Sequence, residues 1–226
     1  NFNYTNFYQL VNNEGMVFDY TNLPRIVNES YARSCDVYAI VSYLARNASS
    51  IKWHVKEFDQ DGNHQIVEDS ILNKILEKPN ANQTWTEFLE EHYIYRLLTG
   101  DSYIHGVKPE GFDYFAELKN LMSQFVEIKT PNGDPYSQIV EGYSYMQQFI
   151  KTYEPEEILH TFYPNPCDTQ PSLYGLSPLE ATLKVWKTSN ERWTASAHVL
   201  KNRGVSGILT DNSARPMTPE QAKVMQ

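Results

Sequence analysis

Tyr174-Gly-Leu-Ser-Pro-Leu-Glu-Ala-Thr-Leu-Lys-Val-Trp186, running on to Gly204, is the stretch on which the fold turns. Ser177-Pro-Leu-Glu180 has the form of a capping box. The serine hydroxyl and the glutamate carboxylate each satisfy an orphan amide, and proline occupies the first helical position, where its missing N–H costs nothing. Gly204 supplies a stop. At 1.5 Å per residue the interval makes a rod of roughly 40 Å. Leu179, Leu183, Trp186, Asn190, Trp193, Ala197 and Leu200 recur at spacings of four and three, a heptad seam with one polar member. A seam of that length expects a partner along the whole helix.

Upstream, Asn1–Tyr31 is rich in Asn and Tyr, weakly periodic, and reads as an irregular arm. After Ser34, the apolar spacing of Val37, Ile40, Val41, Leu44, Ala48 and Ile51 predicts an amphipathic helix. Trp53, Val55 and Glu57 alternate with Lys52, His54 and Lys56 and predict a half-buried strand. A turn at Asp59–Asn63 and a returning strand at His64–Val67 complete a hairpin. Asp69 is the expected cap of a short helix that Lys78-Pro79-Asn80 ends, because the residue before proline avoids helical angles. Thr84-Trp-Thr-Glu87 is another capping box, opening a helix that Gly100 stops. Strands are expected at Ser102–Val107, Asp113–Leu118 and Gln124–Lys129. Pro131-Asn-Gly133 should turn the chain into two further strands between Tyr136 and Thr152, and Tyr163–Pro171 reads as a loop.

Beyond Gly204, Val205–Leu209 reads as a short strand and Thr218-Pro-Glu-Gln221 as a third capping box. A cap five residues from the last residue lacks its helix, so the sequence is expected to be a piece of a longer polypeptide. The reading is therefore α+β: an arm (1–33), an α+β body (34–172), a long helix (173–204) and the start of a further region (205–226).

The 226 residues carry 19 Lys and Arg against 28 Asp and Glu, a net charge of −9. A free-standing protein that grips nucleic acid through its phosphates should be basic, so tight non-specific DNA binding is disfavoured. Mean hydropathy is −0.54, and no apolar run approaches the 20 or so residues a spanning helix needs. Cys35 and Cys167 form no CxxC pair, which suits a reducing compartment. Charge is uneven. Ser177–Gly204 holds five basic residues and two acids, a net +3, leaving −12 for the remainder. Such a basic helix is a solvated face, or else it meets the acidic surface of a neighbouring copy.

The catalytic templates fail. There is no GxxxxGK[ST], GxGxxG or GxSxG. Asp59-Gln-Asp-Gly-Asn63 begins like a calcium loop, but His64 stands where glycine is needed and Ser70 where a bidentate Glu is needed. His54, His64, His92, His105, His160 and His198 include no HExxH and no short ligand pair; His92 reads as a packed histidine on its helix. Cys167 lies among prolines, without the electropositive neighbours that make a thiolate. Glu154, Glu156 and Glu157 beside His160 are the densest acidic group and read as a solvated turn. No cofactor is implied. Sixteen tyrosines and four tryptophans suit core packing and subunit interfaces.

The order of segments resembles the portal proteins of tailed double-stranded DNA bacteriophages. The matching stretches are Val37-Tyr-Ala-Ile-Val41 leading into Ile51-Lys-Trp-His-Val55, Ile75-Leu-Glu-Lys-Pro-Asn80 before Thr84-Trp-Thr-Glu-Phe88, and Leu97-Leu-Thr-Gly-Asp-Ser-Tyr-Ile104. Then come Glu156-Glu-Ile-Leu-His160, Tyr174-Gly-Leu-Ser-Pro-Leu179 and Asn202-Arg-Gly-Val-Ser-Gly-Ile-Leu209. Asp101 stands where the family usually has Asn, and Arg203 interrupts the usual Asn-Gly. The resemblance implies a head-to-tail connector without catalysis, a ring usually of twelve copies at one capsid vertex, assembled in the bacterial host cytoplasm and carried in the virion. Residues 34–172 would be the wing, 173–204 a stem helix, and 205–226 the start of the clip. Expected partners are sister copies, the major capsid protein and scaffold, the terminase and the head–tail adaptor. Contact with double-stranded DNA would be weak and non-specific, and no membrane is involved.

Within that frame, the candidate subunit contacts are Leu183, Trp186, Asn190, Trp193, Ala197 and Leu200. The candidate channel-facing side chains are Lys184, Lys187, Lys201 and Arg203. Two rivals stand beside it: a monomeric module binding a carbohydrate or peptide through Trp53 and Trp85, and a metal-dependent hydrolase built on Glu154–His160.

Overall fold

The computed structural model describes residues 23–58, 64–67, 70–134, 137–166 and 173–201. The chain divides into two units, Asn1–Trp186 and Lys187–Gln226. The expected turn at Asp59–Asn63, the cap at Asp69, Cys167, Arg203 and every element expected beyond Gly204 lie outside the described residues.

Helix α1 (Leu23–Val27) passes into a single π-helical turn, Asn28–Ala32. These residues were expected to be irregular. They are helical because Ile26 is buried beside Val37 and Val41, with Leu23, Val27 and Tyr31 packed against the same cluster. α2 (Cys35–Ser49) follows, burying Val37, Val41 and Ala45 on one face. The hairpin of β1 (Lys56–Phe58) and β2 (His64–Ile66) pairs antiparallel as expected. Its first strand, however, is exposed and begins later than the alternation suggested. α3 (Ile71–Glu77) is capped by Ser70, whose hydroxyl accepts from the Asn73 amide, one residue after the expected cap.

α4 (Trp85–Thr99) has both halves of its capping box in place between Thr84 and Glu87, and Gly100 closes it in the left-handed region at φ 88°. It leads directly into β3 (Asp101–Val107), which is buried on both faces. The strand's two-residue period sorts its side chains. Ile104 packs with Phe88 and Leu89 of α4. Tyr103 joins Leu121, Val126, Ile128, Tyr143, Tyr153 and Ile158 in a second core.

β3 is the centre of an antiparallel sheet, between β4 (Glu117–Leu121) and β8 (Ile158–Phe162). β4 starts four residues after the expected strand, because the chain still bends through residues 113–116 after the turn at Gly111, φ 82°. β5 (Val126–Lys129), β6 (Gly142–Met146) and β7 (Ile150–Tyr153) form a second antiparallel sheet. β8 falls where only a solvated turn was read. That turn exists as a 3-10 helix, Pro155–Glu157, and a strand follows it.

The helix expected to run unbroken from Ser177 is two helices, α5 (Pro178–Ala181) and α6 (Leu183–Lys201). Thr182 separates them at φ −100° and ψ 7°. Its hydroxyl donates back to the carbonyls of Pro178 and Leu179, at 3.4 and 3.2 Å, the side-chain competition by which threonine loosens a helix. Leu179 and Trp186 both enter the core of Ile26, Val37, Val41 and Leu98.

The backbones of Gly100 and Gly175 touch. A Cβ added to Gly175 would stand 2.3 Å from the Gly100 carbonyl oxygen, and one added to Gly100 would stand 2.5 Å from that of Gly175. Gly175→Ala is expected to lower unfolding free energy by about 1–3 kcal/mol, the usual cost of overpacking. Urea denaturation of the two proteins checks it, and an unchanged midpoint would contradict the close approach.

Candidate functional site

Asp101 opens β3 at the point where α4 ends. Its carboxylate oxygen Oδ1 lies 2.8 Å from Nε2 of His160 on β8 and accepts the Gly175 amide at 2.9 Å. Asp101 is buried, and the His160 side chain keeps only 10% of its surface exposed. The His160 ring stacks on Tyr103 at 4.4 Å and contacts Tyr143 and Phe162. Two residues after Gly175, the Ser177 hydroxyl donates to the Leu98 carbonyl at 2.7 Å and accepts the Leu179 amide at 3.1 Å. One serine therefore caps α5 and fastens it to the end of α4. Tyr174 completes the clasp, its hydroxyl accepting the Ile128 amide of the second sheet at 2.9 Å.

The three stretches that meet here are Leu97–Ile104, Glu156–His160 and Tyr174–Leu179. They are remote from one another in sequence. Their convergence shows what they do: they hold the segment that begins the carboxy-terminal helices against the α4–β3 junction. Asp101 has the chemistry for this. A carboxylate accepts from an imidazole and an amide at once.

His92 lies one layer over. From α4 its Nδ1 meets the Ser102 hydroxyl at 2.9 Å and its Nε2 meets that of Thr161 at 3.2 Å, tying the helix to β3 and β8. Burial, reinforced by the nearby Arg96 charge, pulls its pKa from 6.5 down to about 4. A serine beside a histidine is also the start of a nucleophile–base pair. Ser102 is fully buried, however, so no substrate reaches it.

The acidic group considered for metal chemistry does not assemble. Glu154, Glu156 and Glu157 are exposed on their turn, while His160 faces Asp101. Among the described residues no cluster of three His, Cys, Asp or Glu could hold a metal ion, and no helix is long and apolar enough to cross a membrane. Trp85 stacks on Phe88 at 5.5 Å as part of the packing beneath α4. Trp53, 53% exposed, meets it edge-on.

The seam residues have different fates. Trp186, 5% exposed, belongs to the chain's own core and is thereby removed from the set of open contact residues. Trp193 and Leu200 are 65% and 79% exposed, Ala197 is exposed and Asn190 half-buried. At about 100° per residue, Trp186, Trp193, Ala197 and Leu200 share a stripe about 60° wide. Lys184 lies across the helix from it, with Lys187 and Lys201 between.

A sequence model of the family described as phage portal protein matches residues 35–226. The chain belongs to that family. Its fold is α+β and portal-like, as three solved structures show. The neck of an empty gene transfer agent (GTA) particle, computed with C6 symmetry, has a TM-score of 0.65 at 22% identity, over 96% of this chain and 57% of that one. The neck of the native particle, computed with C12 symmetry, gives 0.65 at 20% identity, over 97% and 57%. The virion of the native gene transfer agent particle gives 0.63 at 21%, again over 97% and 57%. This portal-family chain thus spans less than two thirds of the chains it resembles. No curated protein matches it by sequence.

Because the unfolded chain takes up a proton that the buried His92 refuses, stability is complete above pH 6.5. It should fall by about 3 kcal/mol as pH drops toward 4. Urea midpoints measured across that window should fall less steeply for His92→Asn than for the unaltered chain. Equal slopes would contradict the burial account.

Proposed function

We propose that this chain is the ring-forming subunit of a capsid-vertex portal, the conduit through which double-stranded DNA is packaged and released. The observation that carries the reading is the apolar stripe of α6. It is buried at Trp186 and continues exposed through Trp193, Ala197 and Leu200. Exposed large apolar side chains in register on a helix are a surface awaiting a partner. Family membership points to sister copies as that partner. A contact that joins two different patches, repeated around an axis, closes a ring.

Asn190, Trp193, Ala197 and Leu200 are the contact residues in this reading, with Leu183 retained from its heptad position. Lys184, Lys187, Lys201 and Arg203 are the candidates for facing the channel. Their number is small, and a net charge of −9 suits a conduit that DNA must slide through, since each neutralised phosphate adds affinity. The chain acts as a structural part without catalysis of its own. Its further partners are the major capsid protein, scaffold, terminase and head–tail adaptor. It is assembled in the host cytoplasm, ends in the virion, and serves as wing (34–172), stem helix (173–204) and first part of the clip (205–226).

Two tryptophans seven residues apart provide the test. Trp193→Asp should leave the urea midpoint nearly unchanged and abolish rings in negative-stain micrographs of the full-length polypeptide. Trp186→Ala should cost about 3–5 kcal/mol of stability, the range for emptying a buried aromatic site. If Trp193→Asp assembles normally, the stripe is not the contact.

A further inference from the structure

Among the described residues, Ile51–Val55 reads as strand in the sequence yet lies outside every sheet. Ile51, Trp53 and Val55 alternate with Lys52, His54 and Lys56, the two-residue period of a half-buried strand. Only Lys56 enters a pairing, in β1, while residues 51–55 lie outside any sheet. Val55 accepts the Val67 amide at 3.1 Å. From Ile51 to His54, no main-chain group is paired with another described residue. Ile51 and Trp53 are more than half exposed. A segment with strand composition, open main-chain groups and apolar side chains in water is a template for strand addition.

The same unit carries a fitting edge. β7 is the outer strand of the sheet β5–β6–β7, paired on one side with β6 and open on the other. Ile150 is 75% exposed along it. Two other outer strands carry main-chain contacts from outside their sheets: the Pro79 carbonyl and the Asn80 side chain hold Leu118 of β4, and Tyr174 holds Ile128 of β5. β7 lacks such a cover among the described residues. Charge agrees as well. Lys52, His54 and Lys56 stand on the segment, while exposed Glu154, Glu156 and Glu157 follow β7 immediately. The one cation on the strand, Lys151, sits over the Tyr153 ring at 4.7 Å.

We propose that Ile51–Lys56 of one copy adds as a strand to the open edge of β7 in the neighbouring copy. This joins two different patches of the same chain, as ring closure requires, and it extends the second sheet across the subunit boundary. It rests on the ring reading above and names a contact separate from the α6 stripe.

Directly opposed residues on antiparallel strands have Cα atoms about 4.5–5.5 Å apart, inside disulfide range, so cross-linking tests the pairing. In a Cys35→Ser, Cys167→Ser background of the full-length polypeptide, Lys52→Cys and His54→Cys are each combined with Ile150→Cys, Lys151→Cys and Thr152→Cys. The assembled rings are then oxidised. At least one double variant should run as a ladder of covalent multimers on non-reducing gels, with every single-cysteine control remaining monomeric. Intact rings without a ladder from any pair, or a cross-link confined within one chain, overturn the strand addition and leave the ring reading standing. Absence of rings from the parent overturns both. If the cysteine variants fail to assemble, amide exchange on the unaltered protein decides. Ile51–His54 must gain protection on going from dissociated chain to ring, and unchanged exchange refutes the proposal.

Discussion

The contact on which the rest depends is the backbone-to-backbone approach of Gly100 and Gly175, with the Asp101 carboxylate closed over it. Only residues without a Cβ allow two main chains to come this near. Once they do, the Gly175 amide reaches Asp101, Ser177 reaches the Leu98 carbonyl, and α5 starts from a fixed place. Leu179 and Trp186 can then be buried against Val37 and Val41. Removing a carboxylate from water is expensive unless its acceptor sites are filled. Here the imidazole of His160 and the Gly175 amide both meet Oδ1, and that requirement makes the junction specific.

Much of this architecture was legible in local sequence, for identifiable reasons. The capping box at Thr84, the stop at Gly100 and the cap at Ser177 depend on hydrogen bonds between residues at most four apart, so their chemistry is written contiguously. The face of α2 that packs inward shows in its three- and four-residue spacing. What was not legible depends on distant partners. β8 is a strand because β3 lies beside it, and His160 is a clasp residue because Asp101, 59 positions away, faces it. Alternation alone could not say whether a stretch such as Ile51–Val55 would find a partner strand within its own chain. The break at Thr182 was hidden by the heptad pattern around it, since a back-bonding hydroxyl leaves no trace in hydrophobic spacing.

The candidate contact surface was legible in part. The stripe was visible as a heptad seam, but periodicity does not distinguish a residue buried in its own core from one left open. Trp186 and Trp193 are equivalent in the pattern and opposite in the structure. The difference is that residues 23–32 fold back as helix and help cover Trp186. The proposed ring gives the exposed half of that seam to sister copies and leaves the buried half to the chain's own core. In the conduit proposed above, the acidic remainder of the chain would add a long-range repulsion for DNA.

Native mass spectrometry of the purified full-length polypeptide at micromolar concentration tests the central claim most directly. A closed ring predicts one dominant species at a whole-number multiple of the chain mass, persisting on dilution. A spectrum holding only the single chain, from protein that is folded by circular dichroism, would contradict the account.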